Sequence, residues 1–124
     1  RAEVDALSTK LTPTVTISSK SPITIANNSI SGVERKIIFR QGQIVLIDIA
    51  FTVSTAITES QAVLFTGCPR SHSSDTRFAL MNVNDPSKSA ILCITVNGEI
   101  LNQWTRGGIA AGVYQGQFIY FTVS

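Results

Sequence analysis

Six carboxylates of this chain are placed where they could take part in acid–base chemistry, and their positions argue against it. Asp48 lies inside an apolar stretch, Asp75 and Asp85 fall among small turn-forming residues, and Glu34, Glu59 and Glu99 flank turns. Glycoside hydrolysis needs two carboxyl groups about 5 to 10 Å apart, one of them perturbed into a proton donor. No such pair is visible. Nucleophilic catalysis fares no better, because His72 is the single histidine and no Gly-x-Ser-x-Gly elbow accompanies it. Zinc needs three or four closely spaced His or Cys ligands, and here Cys68 and Cys93 stand far apart and outside any CxxC pattern. Asn82, Asn84 and Asp85 carry oxygens suited to calcium but lack an EF-hand frame and read as a turn. Gly107-Gly108 through Gly112 has no following Lys-Ser/Thr and is no phosphate cradle. We therefore expect no enzyme activity, no cofactor and no metal. Asn27-Asn28-Ser29 matches a glycosylation sequon by chance.

Recognition chemistry remains. Sugars are held by an aromatic face against the ring and by amide, carboxylate or guanidinium groups on the hydroxyls. His72, Asp75 and Arg77, in and beside one irregular stretch, and Trp104 with Arg106, at the end of a strand, are the candidate ligand-binding residues. Trp104 also fits a core or interface position, and His72 a solvated loop.

The elements that must position these groups are strands. Among 124 residues there are 15 Ile, 10 Val and 13 Thr against 7 Leu, and such β-branched side chains suit pleated sheet. Only 15% of the residues are charged while 44% are hydrophobic, which excludes disorder, and the length allows one domain. The net charge of +2 comes from scattered basic residues, so nucleic acid is not an expected partner, and no apolar run is long enough for membrane insertion. The two cysteines are expected to be reduced and buried.

Residues 1–12 stand apart. Val4, Leu7 and Leu11 follow the 3-then-4 spacing of a coiled-coil seam, too short to be stable alone, so this segment reads as the end of a self-associating stalk. From residue 13 to 124 the pattern is that of a β head. Thr14 to Ser18 and Ile23 to Ala26 are short strands, with turn signals at Asn27-Asn28 and Ser31-Gly32. Arg35 to Arg40 and Gln43 to Val53 form a hairpin about Gln41-Gly42. In its second strand Val45, Ile47, Ile49, Phe51 and Val53 share one face, while Ile44 and Leu46 begin an opposite face that turns polar at Asp48 and Thr52. Ala62 to Thr66 is a strand, residues 67–75 an exposed loop, and Thr76 to Val83 extended. Asn97-Gly98 predicts a two-residue hairpin pairing Val96 with Glu99, Cys93 with Asn102 and Ile91 with Trp104. The last strand, Gln117 to Val123, points Phe118 and Tyr120 one way and Ile119, Phe121 and Val123 the other, so both faces need cover. The expected fold is an all-β antiparallel sandwich or jelly roll, and the surplus apolar faces call for a second protomer.

The succession of Gln43 to Phe51, Ala56-Ile57, Leu64 to Pro69, Asn97-Gly98 and Ala110 to Tyr120 resembles the C-terminal head domains of tail proteins of phages and prophages from Gram-positive bacteria. The resemblance covers most of residues 33 to 124, and departs at Cys68, where a larger apolar residue is more usual. It implies a trimeric β-sandwich on a helical stalk, carried on the virion in the tail or baseplate and assembled in the bacterial host cytoplasm. Its partners would be host cell-wall saccharide or other phage tail and baseplate proteins. The expected function is non-enzymatic host recognition by a homotrimer binding surface saccharide; the rivals are a structural trimerisation or attachment domain and a polysaccharide depolymerase using Asp75 or Glu99.

Overall fold

A computed structural model of the chain describes residues 16–18 as backbone, and residues 22–73, 76–103 and 108–123 with their side chains. The stalk reading of residues 1–12 lies outside the described residues. Nine strands, β1 (Thr16–Ser18), β2 (Thr24–Ile25), β3 (Ile30–Gln41), β4 (Ile44–Val53), β5 (Val63–Thr66), β6 (Thr76–Asn82), β7 (Ala90–Ile94), β8 (Ile100–Asn102) and β9 (Gly112–Phe121), form one antiparallel sheet. Their order is β1-β3-β4-β9-β6-β7-β8-β5-β2. One 3-10 turn, Pro86–Lys88, is the helical element among the described residues.

The sheet folds back on itself. β6 pairs along most of its length with β7 but gives its last two residues to β9, Met81 opposite Gln115 and Asn82 opposite Tyr114. That change of partner turns one layer into the other. The inner face of β4 consists of Val45, Ile47, Ile49, Phe51 and Val53, all at most 1% exposed, as the alternation of the sequence requires. They share one core with Leu64, Phe65, Leu92, Ile94 and Ile100 from the far half of the sheet. Phe51 meets Phe65 edge-to-face with ring centres 4.9 Å apart and stacks on Tyr114 at 5.8 Å. Each such side chain taken from water contributes about 1.5 to 3 kcal/mol. Cys68 and Cys93 are both buried as thiols.

Several local expectations shift. Ser31-Gly32 is not a turn: it lies within β3 at a register slip against β4, between Ile30 and Gly32, so the small residues accommodate a bulge. The β3–β4 turn is Gly42-Gln43, with Gln41 opposite Ile44 and Gly42 at φ 59°. The hairpin at Asn97-Gly98 has a three-residue loop: Thr95 N–H donates to Glu99 O and Gly98 N–H to Thr95 O. Ile94 therefore faces Ile100 and Cys93 faces Leu101, one residue away from the two-residue register. Gly98 has φ 75°, and a Cβ there would lie 2.2 Å from Cys68 O, so packing against the residue 67–73 segment selects the longer loop. The final strand begins at Gly112, earlier than Gln117, because it pairs without interruption with all of β4.

Candidate functional site

Residues 67–73 are exposed at Gly67, Arg70, His72 and Ser73, as their small polar composition predicts, but the segment is tied down from beneath. Cys68 and Ser71 are buried. Cys68 N–H donates to Gly98 O, Ser71 N–H to Thr95 O, and His72 N–H to Phe121 O at 2.7 Å. Tyr120 Oη donates to Pro69 O at 2.8 Å, and Ser71 bridges Thr122. Burial, with Cys68 adding to it, raises the Tyr120 phenol above its ordinary pKa, so it remains a proton donor to the carbonyl. The segment is a strap joining the β7–β8 hairpin to the end of β9.

On the other side of β9, Thr122 N–H donates to Gln43 O at 2.8 Å. The end of β9 is thus held between the β3–β4 turn and the strap, which brings Gln43 and His72 to either side of it. An open groove of about 500 Å³ results, lined by Gln43, His72, Ser73, Thr76, Ile119, Tyr120 and Phe121. Ile119 and Phe121 are each 62% exposed, whereas Tyr120 between them is buried, as strand alternation demands. The exposed ring can stack on the C–H face of a sugar, and amide, imidazole and hydroxyl groups can serve its hydroxyls.

A smaller hollow of about 200 Å³ shares Ile119 and is lined also by Phe39, Arg40, Gln41, Ile44 and Leu46. The register places Phe39, Leu46 and Ile119 in one row across β3, β4 and β9, with Ile44 and Phe121 in the next. A third hollow, of about 170 Å³ near the other end of β4, is lined by Asn27, Ser29, Thr58 and Glu59 among others, with no aromatic face.

Of the sequence candidates, His72 lines the large groove. Arg77 is exposed on β6 opposite Cys93 and is not part of the described groove lining. Asp75, Trp104 and Arg106 lie outside the described residues. Gln43, Thr76, Ile119 and Phe121 were not among the candidates, although the two-sided pattern of the last strand already marked Ile119 and Phe121 as needing cover. No carboxylate lines the groove among the described residues. Asp48 is paired with Arg35 at 2.7 Å, and Glu34 accepts from Thr52. Around the 3-10 turn, Asn82 Oδ1 accepts from the N–H of Asn84 and Asp85, and Asp85 Oδ1 from Ser87. Those oxygens are spent on the turn itself.

No protein-family model matches the sequence, and no curated protein matches it. Among solved structures, the receptor binding protein (gp15) of Listeria phage PSA aligns over 99% of this chain and 74% of its own, with a TM-score of 0.63 and 18% sequence identity. The chain shares the fold of that structure. At this identity the likeness concerns the path of the chain.

Proposed function

We propose that this chain is the head of a phage tail or baseplate protein that recognises the host: a non-enzymatic, trimeric β-sandwich on a short coiled-coil stalk, displayed on the virion and binding cell-surface saccharide. The groove beside Phe121 carries the reading, because it combines an exposed ring with the side chains of Gln43, His72, Ser73 and Thr76. The shared fold supports it. Single weak sugar sites would gain from presentation in three copies on one tip.

A glycan array followed by calorimetry with host cell-wall polysaccharide tests the proposal. The chain is expected to bind at least one saccharide, and His72→Ala and Gln43→Ala are each expected to weaken it about 5- to 30-fold, the loss of one hydrogen bond of about 1 to 2 kcal/mol. Absence of binding to every saccharide overturns it.

The apolar row Phe39, Leu46, Ile119 favours a second reading, in which the head docks another tail protein. A stable virion partner in a pull-down, without any saccharide signal, would establish that reading instead.

A further inference from the structure

Ser71, buried in the strap, is bonded to two residues of the groove lining, Ser73 and Thr76. Its hydroxyl lies 2.7 Å from the carbonyl oxygen of Ser73 and 3.1 Å from the Thr76 hydroxyl. A hydroxyl has one proton to give and two lone pairs with which to accept. The carbonyl oxygen of Ser73 can only accept, so the Ser71 proton is committed to it. The proton between the two hydroxyls must then come from Thr76, which donates to Ser71 Oγ.

This direction separates Thr76 from the other polar side chains of the groove. The Gln43 amide carries both an acceptor and donors, a neutral imidazole at His72 carries one of each, and the Ser73 hydroxyl can rotate. Each of these can meet either a donor or an acceptor on a ligand. Tyr120 Oη is engaged with Pro69 O. Thr76 is half-buried and fixed by the sheet, opposite Ile94 at the first position of β6. With its proton turned towards Ser71, its oxygen has only lone pairs to offer a ligand. No carboxylate lines the groove among the described residues, so a neutral acceptor of fixed direction stands where a carboxylate could otherwise serve sugar hydroxyls.

We propose that Thr76 sets the specificity of the groove as a one-way acceptor whose direction Ser71 fixes: the bound saccharide must turn a free hydroxyl or an amide N–H towards it. The inference rests on the saccharide-binding reading above and adds to it the chemistry required at one point of the ligand. A sugar whose oxygen at that point is methylated, acylated or otherwise esterified has no proton to give. Two oxygens would then face each other with nothing between them, which rejects close relatives of the correct saccharide. Ser71 does not itself line the groove and acts as a positioning residue.

Fluorine substitution tests the direction, because fluorine takes the place of a hydroxyl and donates no proton. The probe is the saccharide that binds the chain most tightly on the glycan array, prepared with fluorine replacing one hydroxyl at a time, and calorimetry reads the binding. One derivative is expected to bind the native chain about 5- to 10-fold more weakly than the parent saccharide through loss of its bond to Thr76. Thr76→Val keeps the shape of the side chain and removes the acceptor. It is expected to bind the parent about 5- to 10-fold more weakly, and to bind that one derivative no worse than the parent. The other derivatives are expected to keep their native ratios to the parent, and Thr76→Ser to restore the native pattern. Urea unfolding checks that each variant is folded, and Thr76→Ala serves the same comparison if Thr76→Val is not. A folded variant without the hydroxyl that binds like the native chain, or that weakens the parent and every derivative by the same factor, overturns the role of Thr76 and leaves saccharide binding standing. Absence of binding to every saccharide overturns both.

Discussion

Cys68 sits where the strap turns beneath the β7–β8 hairpin, with little water to ionise into. Burial pushes its thiol from an ordinary 9.0 up to about 12. The sign of the consequence follows from linkage. Below 9 the thiol is protonated in both folded and unfolded chains and stability is unaffected. Between about 9 and about 12 the unfolded chain can release the proton and the folded one cannot, so stability falls as pH rises. Urea unfolding at pH ~8 and pH ~10.5 is expected to show that decline, and Cys68→Ala to make it shallower; equal slopes for the two proteins would refute the assignment. The native thiol is also expected to resist Ellman's reagent until the chain unfolds. Gly98 makes a second test on the same contact. Its φ of 75° and the 2.2 Å approach of Cys68 O to a built Cβ leave no space for a side chain, so Gly98→Ala is expected to cost more than about 1 kcal/mol by chemical denaturation.

Among the elements, β4 and the strap mark the two extremes of what the sequence discloses. β4 is legible because one variable decides it: every second residue from Val45 to Val53 is apolar, and each is buried. The outward face of β9 is legible for the same reason, since Ile119 and Phe121 alternate with Phe118 and Tyr120. The strap is illegible because its order comes from partners remote in sequence. Ser71 is a small polar residue that signals solvent by type, yet it is 1% exposed because its N–H reaches the remote Thr95 O, while Ser73 and Thr76 nearby satisfy its hydroxyl. Gln43 and His72 become neighbours of Phe121 through long-range bonds, Thr122 N–H to Gln43 O and His72 N–H to Phe121 O, so no local spacing announces the groove. The same cause moved the Asn97-Gly98 register: the dipeptide alone fits a two-residue turn, and contact with Cys68 selects three. Tyr120 supplies the direct test of the strap. Tyr120→Phe removes the donor to Pro69 O while keeping the buried ring, and is expected to cost about 1 to 3 kcal/mol in urea. It is also expected to weaken saccharide binding, since His72 hangs from the same strap; unchanged binding with lowered stability would show that the strap does not position the groove.

For the whole molecule, the decisive fact is that β9, the last of the described strands in sequence, lies inside the sheet between β4 and β6. It pairs with β4 through ten consecutive positions, Ile44 opposite Phe121 through Val53 opposite Gly112, and then hands the sheet on to β6. Without β9 no strand pairing joins the β3–β4 hairpin to the β6–β7–β8 meander, and each would have one bare apolar face. Neither covers the other, because Phe51 meets Phe65 and Tyr114 only when the layers are joined. The ladder that joins them closes a loop spanning residues 54–111, and the entropy of that loop is lost before the core rewards it. Folding is therefore expected to be slow for a chain of this size, in about milliseconds to seconds. If three copies then assemble, a later phase whose rate rises with protein concentration follows this unimolecular one. A chain ending at Ala111 is expected to remain unfolded, with a collapsed amide spectrum and no cooperative urea transition. Adding residues 112–124 as a separate peptide is expected to restore dispersion only at high peptide concentration, because β9 then binds intermolecularly and loses the advantage of its covalent tether. A folded, cooperative chain without β9 would mean that the two halves hold together by some other seam, and the rigid placement of Gln43 and His72 on either side of Phe121 would lose its cause.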